Sequence, residues 1–376
     1  MPERVVNFGV IGAGGIAYRK TIPGMLKAKN CRLAAVMDPV DIERIAKEFG
    51  VSRAYSREAD LLADPEVEAV YIASPVFCHA RQIEMCAEAR RHVLCEKPLA
   101  RNLKEAQTAV AACRRGRVFL QEGYMMKFHG AHVKIKELIN EGRLGKIVYM
   151  RAQLSCWYPA IKGAWRQNPK TGGGGALIDM ATHLYDLLEY FAGPVRQVAA
   201  LIGNLVQDYK SEDSSTTLLE FKSGAHATVD CFYCIPDEAS RTRLEIYGSR
   251  GAILSEGTIG QSERGKLEGI FGLGGAAYDA QQDKDVERKF KHVPFRKVNP
   301  YTAECEYFAG CILSRRAPEV NNAENALRIM ELTEKAYTSS RQKAIVRVRD
   351  TKGLSRSGRE PLALDKKQER RRKRFQ

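Results

Sequence analysis

Over the first 120 residues, short apolar bursts alternate with helical patterns. VVNFGVIG reads as a strand that feeds a helix from about Ile16, and RLAAVMD as a strand followed by a helix over 40–49. AVYIAS with a helix over 79–90, HVLCEK with a helix over 102–114, and VFLQEG continue the series. Strands alternating with helices of this length need right-handed crossovers, which predicts a doubly wound parallel sheet. After Gly123 the pattern changes. A helix over 130–140 precedes the strand-like KIVYMRAQLSCW, and four glycines then lead into an amphipathic helix. VRQVAALIG, STTLLEF, AHATVDCFYC, TRLEIYG and GAILSE follow at short spacing, some separated by hairpin-like KSGA (222–225) and GSRG (248–251). This predicts an antiparallel sheet. Residues 257–290 are Gly-rich and polar without a period and read as a long loop, over a site or on the surface. Helices over 301–314 and 321–338 and a last strand, KAIVRVR, close the α/β fold. The expected division is 1–122, 123–348 and a tail over 349–376.

A chain of 376 residues has room for two such domains, each with a sizeable core. Its net charge of +15 would point to nucleic acid or an anionic membrane if it were spread over the fold. It is not. From Lys352 onward ten Lys/Arg face three Asp/Glu, so +7 of the charge lies in a tail read as disordered and solvated. RNA or membrane adhesion through ERRRKRF (369–375) is the lesser reading, and the remaining +8 calls for no polyanionic partner. The N-terminus lacks the charged and long apolar regions of a signal peptide, and no apolar run reaches the ~18–20 residues of a membrane span. Ten cysteines without framework spacing fit reduced thiols in a cytoplasmic protein. Cys231 and Cys234, three apart in an apparent strand, point to opposite faces and make a poor metal or redox pair.

Gly12, Gly14 and Ala17 form a G-x-G-x-x-A between a strand and a helix. Gly12 permits the tight turn, Gly14 and Gly15 open the backbone to a pyrophosphate, and the helix starting at Ile16 faces the anion. Alone the signature is weak. Asp38 strengthens it: it ends the second strand, where a carboxylate accepts hydrogen bonds from the adenosine ribose. It would also repel a 2′-phosphate, which favours NAD over NADP. The alternative is a flavodoxin-like domain without a dinucleotide. Cys95-Glu96-Lys97-Pro98 ends another strand on the ligand side of the sheet, placing Lys97 towards a substrate hydroxyl or the cofactor ribose. Asp179 and His183 stand four apart on one helix. A metal pair would need a further ligand such as His129 or His132. The spacing leaves a structural contact and an acid–base pair level.

Taken together, GAGGIA, Asp38, ASPVFCH (73–79), HVLCEKPLA (92–100) and GGGALIDMATHLYDLL (173–188) resemble the glucose–fructose oxidoreductase and inositol dehydrogenase family. The resemblance covers roughly residues 5 to 348. It implies an N-terminal Rossmann domain and a C-terminal α/β domain on an open, mostly antiparallel sheet that supplies the substrate wall and an oligomer interface. It further implies NAD(P)-dependent oxidation or reduction of sugars, polyols or their relatives. By the same resemblance Ser74, Pro75, His79 and Glu96 belong to the cofactor site. Lys97 orients substrate and nicotinamide, Asp179 is a substrate-binding carboxylate and His183 the proton acceptor. Trp165 and Arg166 line the cleft, and Tyr301 reaches the cofactor. One departure stands out: Met125 and Lys127 occupy positions where many relatives carry Asn and Arg, and a Met cannot donate an amide hydrogen bond.

The leading expectation is reversible hydride transfer between nicotinamide and a sugar, polyol or inositol-like substrate, in a homo-oligomer without a metal. Asp179 is expected to bias the His183 imidazole towards its charged form. A redox-assisted glycoside hydrolase, a non-catalytic sugar or dinucleotide sensor, and a reductase of aromatic diols or tetrapyrroles are the rivals. The glycines 172–175 are expected to give a side-chain-free entry through which substrate and nicotinamide approach the catalytic helix.

Overall fold

The computed structural model describes residues 4–274 and 289–349. Its first sheet comprises β1 (Val6–Ile11), β2 (Cys31–Met37), β3 (Ala54–Tyr55), β4 (Ala69–Ile72), β5 (His92–Cys95) and β6 (Leu120–Glu122). They lie in the order β3-β2-β1-β4-β5-β6, every neighbouring pair parallel. Burial explains the apolar bursts: all four residues of β4 are buried, as strands sandwiched between helices must be. The crossovers run through a π-helical turn (Ala17–Thr21) into α1 (Ile22–Met25), then α2 (Ile42–Phe49), α3 (Glu58–Ala63), α4 (Val76–Glu88) and α5 (Leu103–Gly116). The strand order reverses between β1 and β4, which opens a crevice at the carboxyl ends of these strands.

The second sheet has nine strands: β7 (Ile147–Ser155), β8 (Val195–Gly203), β9 (Ser214–Phe221), β10 (His226–Phe232), β11 (Arg243–Gly248), β12 (Gly251–Glu256), β13 (Lys266–Phe271), β14 (Lys291–His292) and β15 (Val346–Arg347). Their order is β14-β13-β12-β11-β7-β10-β9-β8-β15. All pairs are antiparallel except β7 with β10. The sheet is thus mostly antiparallel, as expected; which pair is parallel is not marked by period-2 alternation, which is the same in either direction. Helices α6 (Gly130–Asn140) and α8 (Thr182–Ala192) bury their apolar faces in the core shared with one side of this sheet. A short α7 (Pro169–Gly172) precedes α8.

The last two helices join the halves. In α9 (Pro300–Ser314) Cys305, Phe308 and Ile312 pack into the core of the first sheet, Phe308 lying 6.3 Å from Phe8 between ring centres. In α10 (Ala323–Gln342) Leu327 and Met330 join the core around α5, while Ile329, Leu332 and Ala336 join that of the second sheet. Packing therefore returns the chain end to the first domain. Two stretches differ from the expectation. The short β3 and α3 were absent from it, being too brief to show a period. The supposed loop contains β13, whose alternation is interrupted by Gly269. Residues 275–288 and the basic tail from 350 onward lie outside the described residues. Among the described residues no helix is long and apolar enough to cross a membrane.

Candidate active site

A cleft of about 1130 Å³ lies between the two sheets. Its first wall carries Gly12, Gly14, Gly15, Ile16, Asp38, Ser74, Pro75, His79, Glu96 and Lys97. The opposing wall carries Trp165, Arg166, Asp179 and His183, and Tyr301 of α9 also lines the cleft, so the residues expected to bind cofactor or act in catalysis share one space.

At the far end, Gly12 has φ +79°, and a Cβ there would sit 2.6 Å from the Ser74 amide nitrogen. The turn after β1 thus needs glycine both for its dihedral and for its closeness to the end of β4. Gly15 is the opposite case: a Cβ would meet nothing within 4 Å, so the backbone is bare towards the cleft. Asp38 is held at the end of β2 by the Gly14 amide, which donates to Oδ2 at 2.9 Å, and by the Val40 amide, which donates to Oδ1 at 3.0 Å. These features fit a dinucleotide: a naked phosphate cradle with a fixed carboxylate beside it. His79 is buried, its ring nitrogens 3.0 Å from the Pro98 carbonyl and 2.8 Å from the Ser74 carbonyl. It ties together two loops of the wall. Burial lowers it to about 4 despite those carbonyls. Tyr301 sits in the first turn of α9, where the Asn299 side chain accepts from its amide.

At the near end, Lys97 follows β5 and donates to Asp179 twice, at 2.8 Å to Oδ1 and 2.7 Å to the main-chain carbonyl. Arg166 Nε also donates to Oδ1, at 3.3 Å, and the Tyr233 hydroxyl donates to Oδ2 at 2.6 Å. Burial alone would raise the Asp179 carboxyl. The charges of Lys97 and Arg166 and the bonds from Lys97 and Tyr233 outweigh it and hold the group well below the usual carboxylate range. Glu96, next to Lys97 in the chain, bonds elsewhere. It is half-buried and accepts from the Tyr71 hydroxyl, which in turn accepts from Thr21 at 2.8 Å. Burial raises its carboxyl.

His183 differs from expectation in a way that matters chemically. Asp179 lies in a π-helical turn (Leu177–Ala181) ahead of α8, so four residues do not bring its carboxylate onto the imidazole. Among the described residues, buried Nδ1 has no hydrogen-bond partner, and the ring packs edge-on to Tyr124 at 5.6 Å between centres. Burial, then the Lys97 charge, depress the imidazole well below its ordinary range, and the Asp179 charge only partly opposes them. The Asp179 charge does pull towards imidazolium as expected, but burial and Lys97 outweigh it, and the net shift favours the neutral ring.

The glycine run also needs correction. None of Gly172–Gly175 lines the cleft. A Cβ on Gly174 would lie 1.9 Å from the Tyr337 hydroxyl oxygen, and one on Gly175 2.0 Å from the Glu212 carbonyl oxygen. The run lets the segment press against its own scaffold. His129 and His132 are occupied elsewhere: His129 Nδ1 accepts from the Ala131 amide, and His132 lies 2.8 Å from the Met126 carbonyl and 3.1 Å from Thr258. Lys127 forms a buried ion pair with Asp186 at 2.6 Å, while Met125 does face the cleft. Tyr233 was missed. Its signal was the inward set Val229, Cys231, Tyr233 of a half-buried strand, where a buried phenol must find a partner.

Residues 6–124 match the model of an oxidoreductase family with an NAD-binding Rossmann fold, and residues 132–254 match the GFO/IDH/MocA C-terminal domain. An uncharacterized oxidoreductase of Rhizobium meliloti is 31% identical over 262 residues, which cover 66% of this chain and 74% of that protein. The chain belongs to the GFO/IDH/MocA oxidoreductase family. The scyllo-inositol 2-dehydrogenase (NAD(+)) of Bacillus subtilis (strain 168) is 26% identical over 343 residues, 87% of this chain and 92% of that one. Among solved structures, the aldose-aldose oxidoreductase of Caulobacter crescentus, complexed with glycerol, superimposes with a TM-score of 0.82. It is 23% identical and covers 92% of this chain and 100% of its own, so it supports the fold. This member of the family is thus an oxidoreductase whose first domain binds NAD(P).

Proposed function

We propose that the chain is a dehydrogenase that moves a hydride between NAD and a carbinol of a sugar or polyol. The carrying observation is that Lys97 and neutral His183 face the same cleft as the bare glycine cradle. Bound along that cradle, a nicotinamide dinucleotide supplies reversible hydride acceptance. The protein's own part is proton and charge management. His183 takes the hydroxyl proton, which a neutral imidazole can do without first losing one. Lys97 donates a hydrogen bond to the oxygen as negative charge develops there. Asp179 holds Lys97 in place and keeps a lone pair on Oδ2 for a substrate hydroxyl. Asp38 supports NAD over NADP, since its fixed carboxylate would lie against a 2′-phosphate.

The second sheet also supports a homo-oligomer. Leu201 on β8 and Leu218 on β9 are 77% and 56% exposed on neighbouring strands. The function is tested by following nicotinamide absorbance with a panel of polyols, sugars and keto-sugars, each with NAD(H) and NADP(H). Oxidation of a polyol or sugar with NAD is expected. Tight NADH binding with no turnover of any panel member would sink the reading and favour a sensor.

A further inference from the structure

Hydrogen-bonding capacity at the reacting end of the cleft is lopsided. Lys97 has three N–H donors and commits two to Asp179. Arg166 has five, with Nε committed to the same carboxylate, and its side chain is 40% exposed. Its guanidinium lies over the Trp165 ring at 4.1 Å, which fixes the plane of the group. Acceptors are scarcer. Oδ1 of Asp179 already takes Lys97 and Arg166, and Oδ2 takes Tyr233. Glu96 is turned to Tyr71, and burial draws it towards its neutral form. Met125, Met126, Met180 and Leu154 add an apolar stretch to the wall, with Gln261 as a further polar side chain. A neutral polyol offers hydroxyls that both donate and accept, and it is best met by a balanced set of partners. A pocket with two cations around one ionised carboxylate, spare donors and an apolar wall is better matched by a ligand rich in acceptors and negatively charged.

Resting on the oxidoreductase reading above, we propose that the preferred substrate is a sugar or polyol acid, its carboxylate gripped by Arg166 while a carbinol of the same molecule meets Lys97 and His183. A planar guanidinium matches a carboxylate with paired hydrogen bonds better than it matches isolated hydroxyls. The reaction balances without any further reagent. The carbinol carbon gives a hydride to NAD and its hydroxyl proton to His183, a C=O bond forms, and the carboxylate is unchanged.

The test uses the wild-type protein loaded with NADH, titrated calorimetrically with D-glucuronate, D-glucose and D-glucose 6-phosphate, with NAD reduction by each measured in parallel. Glucuronate is expected to bind and turn over on the order of 10–100-fold better than glucose, the range for hydrogen bonds to a charged group. Arg166→Gln is expected to lower the glucuronate-to-glucose ratio of kcat/KM at least about tenfold, and Arg166→Lys to restore part of it. Equal or better use of glucose overturns the acid assignment and leaves the dehydrogenase reading standing. Preference for the phosphate over both overturns the carboxylate assignment in the same way. Binding of NADH with oxidation of none of the three, or of the wider panel, overturns the dehydrogenase reading and this inference with it.

Discussion

Among the described residues Nδ1 of His183 lacks the partner that commonly orients an acid–base histidine, and that shapes what its removal should do. With Asp179 tied to Lys97, Arg166 and Tyr233, the imidazole is held by packing and kept neutral by burial and the Lys97 charge. His183→Ala is therefore expected to lower kcat for oxidation by ~10²–10⁴, the usual span of general acid–base help. NADH affinity, read by fluorescence titration, should survive; unchanged turnover would remove His183 from the chemistry. The pH profile follows from the same depression. An ordinary histidine is half protonated near ~6.5. Here the proton-accepting form should persist below that, so any histidine limb in kcat/KM for oxidation should lie below the ordinary value. A limb centred at 6.5 would mean the site is wetter than this packing allows. At this scale the sequence exposed which residues converge, because motifs mark strand ends and helix starts. It hid who bonds to whom, since the π-turn that parts Asp179 from His183 leaves no mark in a 3.6-residue pattern.

Elements are legible in proportion to their length and regularity. The strands of the first sheet announce themselves because burial on both faces leaves continuous apolar runs, whereas two-residue β3 has no run to show. The pairing of β7 beside β10 is a long-range choice that local alternation does not record. The glycine run shows how a correct local reading can yield a wrong role. Gly174 does need the absence of a side chain, but on the side of α10 rather than the cleft. A valine there would have to displace Tyr337, whose hydroxyl donates to Glu212 at 2.7 Å. Such overpacking costs ~1–3 kcal/mol or more. Gly174→Val should lower the urea midpoint and reduce turnover and NADH binding together. Loss of turnover alone at unchanged stability would restore the substrate-entry role.

Across the whole molecule, buried ionisable groups of opposite kind set the pH range of stability. His79 at about 4, His132 at about 3 and depressed His183 stay neutral in the fold, all through burial above other causes. Their unfolded forms take up protons below ~6.5, so this set costs stability as pH falls through that value. Burial pushes Glu122 up to about 8 and Glu304 well above the carboxylate range. These stay protonated in the fold while their unfolded forms ionise above ~4.3, so this set costs stability as pH rises from there until Glu122 itself ionises near 8. Between ~4.3 and ~6.5 the two slopes oppose each other. Above ~6.5 the histidines no longer change between states, and the glutamates act unopposed. The thermal midpoint should therefore be broadly level between pH 5 and 6.5 and decline towards pH 8, as read by scanning calorimetry at fixed ionic strength. Glu122→Gln should flatten that decline: Oε1 accepts the Leu99 amide at 2.8 Å, and a glutamine oxygen can replace it without ever ionising. A midpoint still rising from pH 6.5 to 8 in the wild type would mean that the buried carboxyls ionise at little cost, with water or a partner subunit supplying what the isolated fold does not.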